Sequence, residues 1–182
     1  MAVYNTYVQQ ISFDGTTYTK GTVVDLLETF NIISQDFPFK KNPKPKDLPT
    51  RDWAGEDGLD VYVPEKIPMK NYDIDVTFLY VGDEQNIRTD VGNFLDYIYG
   101  RVGANGAFKS GRLAIYNEHV GIGRKDIVVS DVDNEIFYCS EYDPDAVAKF
   151  KVRFTVYDPT TDVTPTYGTY DGEQRCTELN FD

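Results

Sequence analysis

Among the side chains able to do chemistry, His119 is the single histidine of the chain. A Ser-His-Asp or Cys-His nucleophilic site that uses histidine must therefore use this one. Its setting, Tyr116-Asn117-Glu118-His119-Val120-Gly121, reads as a connection between two strands, which favours a solvated loop over a proton relay. Asp131, Asp133 and Glu135 imitate the first three ligands of a calcium loop, but Ile136 stands where the sharp turn demands glycine. No suitably spaced glutamate closes the loop, so the run reads as an acidic hairpin turn. Asp52, Glu56, Asp57 and Asp60 beside Trp53 have the composition of a glycosidase site, where two carboxylates roughly 5–10 Å apart flank a sugar. Spacing within a glycine-containing loop does not set that separation. Gly121-Ile122-Gly123-Arg124-Lys125 holds a fragment of a phosphate-binding glycine pattern and follows no βα unit. Cys139 and Cys176 form neither a CxxC pair nor a Cys/His cluster, which argues against a disulfide framework or a structural zinc. No catalytic residue, cofactor or metal site is expected from these residues.

The charge balance narrows the partners. Thirty acidic residues against 18 basic ones leave a formal charge of −12 over 182 residues. That field repels phosphate, which argues against tight sequence-independent binding to nucleic acid, since such affinity comes from Lys and Arg displacing counterions. The same field suits a surface past which DNA slides without sticking. The start, MAVYNTYVQQISFDG, shows neither a basic n-region nor an apolar run of signal-peptide length. No segment approaches the roughly 20 apolar residues that span a bilayer. Synthesis in a reducing cytoplasm and no membrane contact are the expectation.

The elements that must position these residues are mostly strands. In Ala148 to Tyr157, Phe150, Val152, Phe154 and Val156 alternate with Lys149, Lys151, Arg153 and Thr155, the two-residue period of a strand with one buried face. Tyr72 to Tyr80 repeats it, with Tyr72, Ile74, Val76, Phe78 and Tyr80 against Asp73, Asp75 and Thr77. One strand carries a basic outer face and the other an acidic one. Opposite charges stabilise a strand pair, so these two are predicted to be neighbours, in one sheet or across a subunit boundary, with Asp75 and Lys151 as the test pair. Weaker alternation marks Thr6 to Phe13, Leu113 to Tyr116, Asp126 to Ser130 and Glu135 to Tyr142, with turns at Asp14-Gly15 and Asp133-Asn134.

Two stretches read as helices. In one, Thr89 or Asp90 caps, Val91, Phe94, Leu95 and Ile98 form the buried stripe, and Gly100 ends it. The other runs from Thr22 to about Phe30. Residues 38–68 carry Pro38, Pro43, Pro45, Pro49, Pro64 and Pro68, too many for central strands, and combine Lys40, Lys41, Lys44 and Lys46 with the acids that follow. Residues 159–182 lack apolar periodicity and read as a C-terminal arm. The predicted fold is mainly β (α+β): an antiparallel β-sandwich or barrel with one or two flanking helices, one domain over 1–182, and two extended segments.

The stretch Leu48-Pro49-Thr50-Arg51-Asp52-Trp53-Ala54-Gly55-Glu56-Asp57-Gly58-Leu59-Asp60-Val61-Tyr62-Val63-Pro64, the Tyr72-Asp73 strand, Gly111-Arg112-Leu113-Ala114-Ile115-Tyr116 and the closing Phe150 to Val156 with Tyr157-Asp158-Pro159 together resemble small tail proteins of tailed bacteriophages and prophages. The likeness covers roughly residues 47 to 163. The order of parts is similar to that of ring-forming distal tail and tail-tube proteins. The resemblance implies a non-enzymatic virion structural protein, made in the bacterial cytoplasm and residing in the virion tail. It further implies a hexameric ring, contacts with other tail proteins, and DNA only as passing cargo. It transfers no active-site residues. Trp53, Tyr62 and Tyr72 are the aromatic interface candidates, and Asp73, Asp75, Lys149, Lys151 and Arg153 the charged ones. The alternative expectation is a monomeric β-sandwich module that binds carbohydrate or a host surface ligand.

Overall fold

The computed structural model describes residues 5–106, 108–133 and 148–181. The expected strand Glu135 to Tyr142, with Cys139, lies outside them. In chain order the strands are β1 (Thr6–Phe13), β2 (Tyr18–Asp25), β3 (Ile32–Ser34), β4 (Thr50–Arg51), β5 (Asp60–Val61), β6 (Tyr72–Tyr80), β7 (Arg112–Asn117), β8 (Ile122–Asp133), β9 (Ala148–Val156), β10 (Thr164–Tyr170) and β11 (Glu173–Asn180). Helix α1 (Leu26–Phe30) follows β2, and α2 (Ile87–Ile98) follows β6. The fold is mainly β, an α+β arrangement around one antiparallel sheet of seven strands in the order β2-β1-β7-β8-β9-β6-β3.

The two ends of that order are joined by very little chain. Only α1 and Asn31 separate β2 from β3, and five helical residues rise about 7.5 Å, so the sheet must curl until its edges approach. The approach is recorded in side chains. Thr6 of β1 and Ser34 of β3 share a hydrogen bond of 2.9 Å, and the Asn117 amide of β7 donates to both hydroxyls at 3.0 Å. The result is a curled antiparallel sheet with α1 linking its two edge strands.

Alternation along each strand fills the inside of this curl. Val8, Leu113, Ile115, Ile127, Phe150, Phe154, Ile74 and Phe78 join Val91, Phe94, Tyr97 and Ile98 of α2 in one core. Phe94 meets Phe78 and Phe30 edge-on at 5.2 and 5.7 Å. The buried Gln10 amide donates to the carbonyls of Tyr97 and Val102 at 2.7 and 2.8 Å, satisfying groups at the C-terminal end of α2. On the outer face Tyr7, Ile11 and Ala114 form a second, smaller core with Val163 and Leu179.

Several expectations shift. Residues from Thr22 onward are not one helix: β2 runs to Asp25, because Val23 and Val24 are β-branched and fit a pleated surface better. The Asp25 carboxylate then caps α1 by accepting from the N–H groups of Leu27 and Glu28, and Asn31 ends it in the left-handed region, φ 55°. Helix α2 starts at Ile87, after a 3₁₀ turn at Glu84–Asn86, and not at a Thr89 or Asp90 cap. Asp90 instead accepts from the Tyr80 hydroxyl at 2.7 Å and from Asn31 at 3.2 Å. The expected C-terminal arm is a β10–β11 hairpin folded back on the sheet. Its turn, Asp171-Gly172, takes positive φ at both residues, a two-residue hairpin signal present in the sequence.

Candidate functional site

The Pro-rich segment begins at a firmly held root. Phe37 and Phe39 are buried against each other with ring centroids 4.6 Å apart, and Phe37 also meets Phe154 and Phe78. The next residue is tied twice: the Lys40 N–H donates to the Tyr72 hydroxyl at 3.2 Å, and the Lys40 carbonyl accepts from Arg124 at 3.1 Å. From there two legs run side by side. Lys70 N–H donates to the Lys44 carbonyl, Lys46 N–H to the Pro68 carbonyl and Tyr62 N–H to the Pro49 carbonyl, at 2.8, 2.8 and 3.0 Å. Pro45 bridges Met69, and β4 pairs with β5 through Thr50 opposite Val61 and Arg51 opposite Asp60. Prolines are tolerated because this ribbon is two-stranded and joins no larger sheet.

Every residue from 49 to 63 is exposed, so the hairpin stands clear of the body. Its apolar side chains face water: Trp53 is 43% exposed, Leu59 60%, Val61 50%, Tyr62 68% and Val63 58%. Large apolar groups gathered on one projecting ribbon mark interaction surfaces. The tip has internal order. The Trp53 indole donates to Asp60 at 2.8 Å, and the Arg51 guanidinium lies 3.7 Å from the ring centroid. One indole face and the indole N–H are therefore occupied, which leaves less of Trp53 for stacking on a sugar.

Tyr72 is corrected as an interface candidate. It is only 9% exposed, packs in the main core, and holds the root of the hairpin through its hydroxyl. Its place on the inward-facing side of β6 put it there.

The charged candidates meet as the strand pairing predicts, in a register of their own. Asp75 faces Arg153, Thr77 faces Lys151, Leu79 faces Lys149 and Asp73 faces Thr155. Arg153 donates to both carboxylate oxygens of Asp75, at 2.7 and 3.2 Å, and this pairing holds the Asp75 carboxyl below the ordinary carboxylate range. The expected Asp75–Lys151 pair is thus replaced by Asp75–Arg153, because an antiparallel register aligns those two positions. On the other flank of β9, Asp131 and Asp133 of β8 face Arg153 and Lys151. These two acids therefore lie on an extended strand and not in a turn, which removes the loop geometry that a calcium site needs. Glu135 lies outside the described residues. Among the described residues no group of three or more His, Cys, Asp or Glu could hold a metal ion.

The remaining motifs have structural settings. His119 is exposed in the turn joining β7 to β8. Its neighbour Glu118, not singled out from the sequence, is the residue that organises the surroundings. It accepts from the hydroxyls of Tyr167 and Tyr7 at 2.8 and 3.2 Å and from the Asn5 N–H at 3.0 Å. Burial, reinforced by the Glu118 carboxylate, pushes the Tyr167 hydroxyl far up. No sequence signal marks this clasp, since its members come from β1, β10 and a turn. Gly123 is needed for close approach and not for phosphate: a Cβ there would stand 2.7 Å from the Val163 carbonyl oxygen. Cys176 is half-buried and free, and burial raises its thiol to about 11. A cleft of about 520 Å³ lies between α1 and β11, and Arg175 crosses it to pair with Glu28 at 2.7 Å. Asp52, Glu56 and Asp57 are exposed on the hairpin tip, where no enclosing wall brings them together. Among the described residues no helix is long and apolar enough to cross a membrane.

No family model, curated protein or solved structure matches the chain.

Proposed function

We propose that this protein is a non-enzymatic structural subunit of a bacteriophage tail, which self-assembles into a ring around a channel for DNA. The observation that carries this reading is the projecting hairpin, whose exposed Trp53, Leu59, Val61, Tyr62 and Val63 leave a large apolar surface in water unless a partner covers it. A subunit that presents such a ribbon from one side and receives it on another makes a heterologous contact, which closes into a ring when the rotation fits. The formal charge of −12 supports the same reading, because a channel lined by acids lets DNA pass without binding. The partners are further copies of the chain and neighbouring tail proteins, with the virion tail as the place of action after synthesis in the host cytoplasm.

Native mass measured across a concentration series, with negative-stain images of large species, tests this. Assembly into rings or stacked tubes is expected. Tyr62→Ala and Trp53→Ala should each weaken assembly by roughly tenfold or more, as loss of an interface aromatic does, while leaving Tm unchanged. A wild-type chain that stays monomeric up to millimolar concentration, or variants that assemble like wild type, would overturn the proposal.

A further inference from the structure

Charge is segregated along the projecting hairpin. Near its root lie Lys40, Lys41, Lys44, Lys46, Lys66 and Lys70, against only Asp47 and Glu65. At its tip lie Asp52, Glu56, Asp57 and Asp60, against Arg51 alone. Among the described residues one ion pair forms on either region, between Lys70 and Asp47 at 2.7 Å. Lys41, Lys44 and Lys46 and the tip acids Asp52, Glu56 and Asp57 are exposed.

Among the described residues no ion pair joins a tip acid to a root lysine. Along the paired legs Asp52 stands six residues beyond Lys46 and Asp60 six before Lys66, a span of up to about 20 Å when extended. At physiological ionic strength charges are screened beyond about 8 Å. The acids of the tip and the lysines of the root are therefore segregated along the hairpin.

We infer that the hairpin tip docks on the lysine-rich hairpin root of a second copy of this chain, head to tail. This deepens the assembly reading above and rests on it. The occupant is chosen by complementarity: a surface that receives the acidic tip is best matched by a basic one, and in a chain of charge −12 the root gathers six lysines against two acids. The apolar side chains of the tip supply most of the affinity, while the opposed charges set orientation and association rate. Because tip and root are different surfaces, each copy gives one contact and takes one, and the chain of contacts is directional.

Two charge-reversed variants test this. One carries D52K, E56K and D57K at the tip, and the other K41E, K44E and K46E at the root. All six side chains are exposed, and circular dichroism checks that both variants keep the β fold. Wild type should assemble less well in 1 M salt than in 0.15 M. Each variant alone places like charges at the contact and should assemble at least about tenfold more weakly than wild type. An equimolar mixture should recover assembly, since each tip then meets a root of opposite sign. Wild-type assembly together with unimpaired assembly of both variants would overturn the docking and leave the ring reading standing. So would loss in both variants without recovery on mixing. A wild-type chain monomeric at every concentration would overturn both.

Discussion

Asp75 and Arg153 face each other directly across β6 and β9, with Nε of Arg153 2.7 Å from Oδ1 of Asp75 and Nη2 3.2 Å from Oδ2. Both side chains are about half exposed, so the pair contributes little to net stability, but it reports the register. Asp75→Lys should lower Tm by about 2 °C by placing two cations together, and Arg153→Asp in the same chain should recover part of that loss. The recovery is partial because Asp131 also faces position 153. Lys151→Asp should recover less, since Lys151 lies opposite Thr77 and reaches position 75 only diagonally. Thermal unfolding of the four chains checks this, and equal recovery from both second changes would contradict the register.

Leu179 is fully buried between the C-terminal hairpin and the sheet, together with Tyr7, Ile11, Ala114 and Val163. Leu179→Ala should cost about 2–5 kcal/mol and make residues 164–181 sensitive to limited proteolysis. A free arm would show neither effect. Denaturant unfolding with a protease time course distinguishes the two.

Gly123 lets the segment around Val163 cross β8. In Gly123→Ala the new methyl would meet the Val163 carbonyl oxygen at 2.7 Å, the Val163 Cβ at 2.8 Å and the Ile115 carbonyl oxygen at 3.0 Å. Two of these are backbone atoms that do not yield easily. A loss of about 1–3 kcal/mol is expected from overpacking, measured by urea unfolding.

Arg124 is 1% exposed and donates to Asp162, to the Gly123 carbonyl and to the Lys40 carbonyl. It ties β8 to the hairpin root and to the segment before β10. Removing Asp162, which is largely exposed, strands a buried cation, whereas removing Arg124 leaves a carboxylate that water can reach. Asp162→Ala should therefore destabilise more than Arg124→Met, by about 2–3 kcal/mol against 1–2 kcal/mol. Equal losses in calorimetry would show that the charge is not the dominant factor.

Burial raises the Asp25 carboxyl above its ordinary range, even though the N–H groups of Leu27 and Glu28 pull the other way. A carboxyl raised on folding costs stability when ionised. The cost is absent below its unfolded pKa, grows as pH rises from there to the folded value, and is complete above it. Asp25→Asn keeps the cap and removes the charge, so it should raise Tm at pH 7, with the difference from wild type shrinking as pH falls through the carboxylate range. A difference independent of pH would exclude this origin.

The outlines of the main strands were legible because the alternation of apolar and polar residues is local. Thr6–Phe13 and Tyr72–Tyr80 have the bounds that their side chains suggest, and the charges of Tyr72–Tyr80 and Ala148–Val156 pointed to their pairing. The exposed candidates Trp53 and Tyr62 were legible as aromatics in a Pro-rich segment that joins no large sheet. Tyr72 was misplaced because an aromatic residue serves a core and an interface equally well, and only the inward side of β6 decides between them.

Composition and periodicity alone determined a β-rich chain with an acidic surface, a proline-rich excursion and one amphipathic helix over Val91 to Ile98. These properties depend on residues within a few positions of one another. Tertiary structure decided which residues face each other across β6 and β9, the curling of the sheet that brings Ser34 to Thr6, the Glu118 clasp, and the folding of the C-terminal hairpin onto Tyr7 and Ile11. Those contacts join residues far apart in the sequence, and each depends on loop closure, register and the burial of a whole face at once, so no local pattern encodes them.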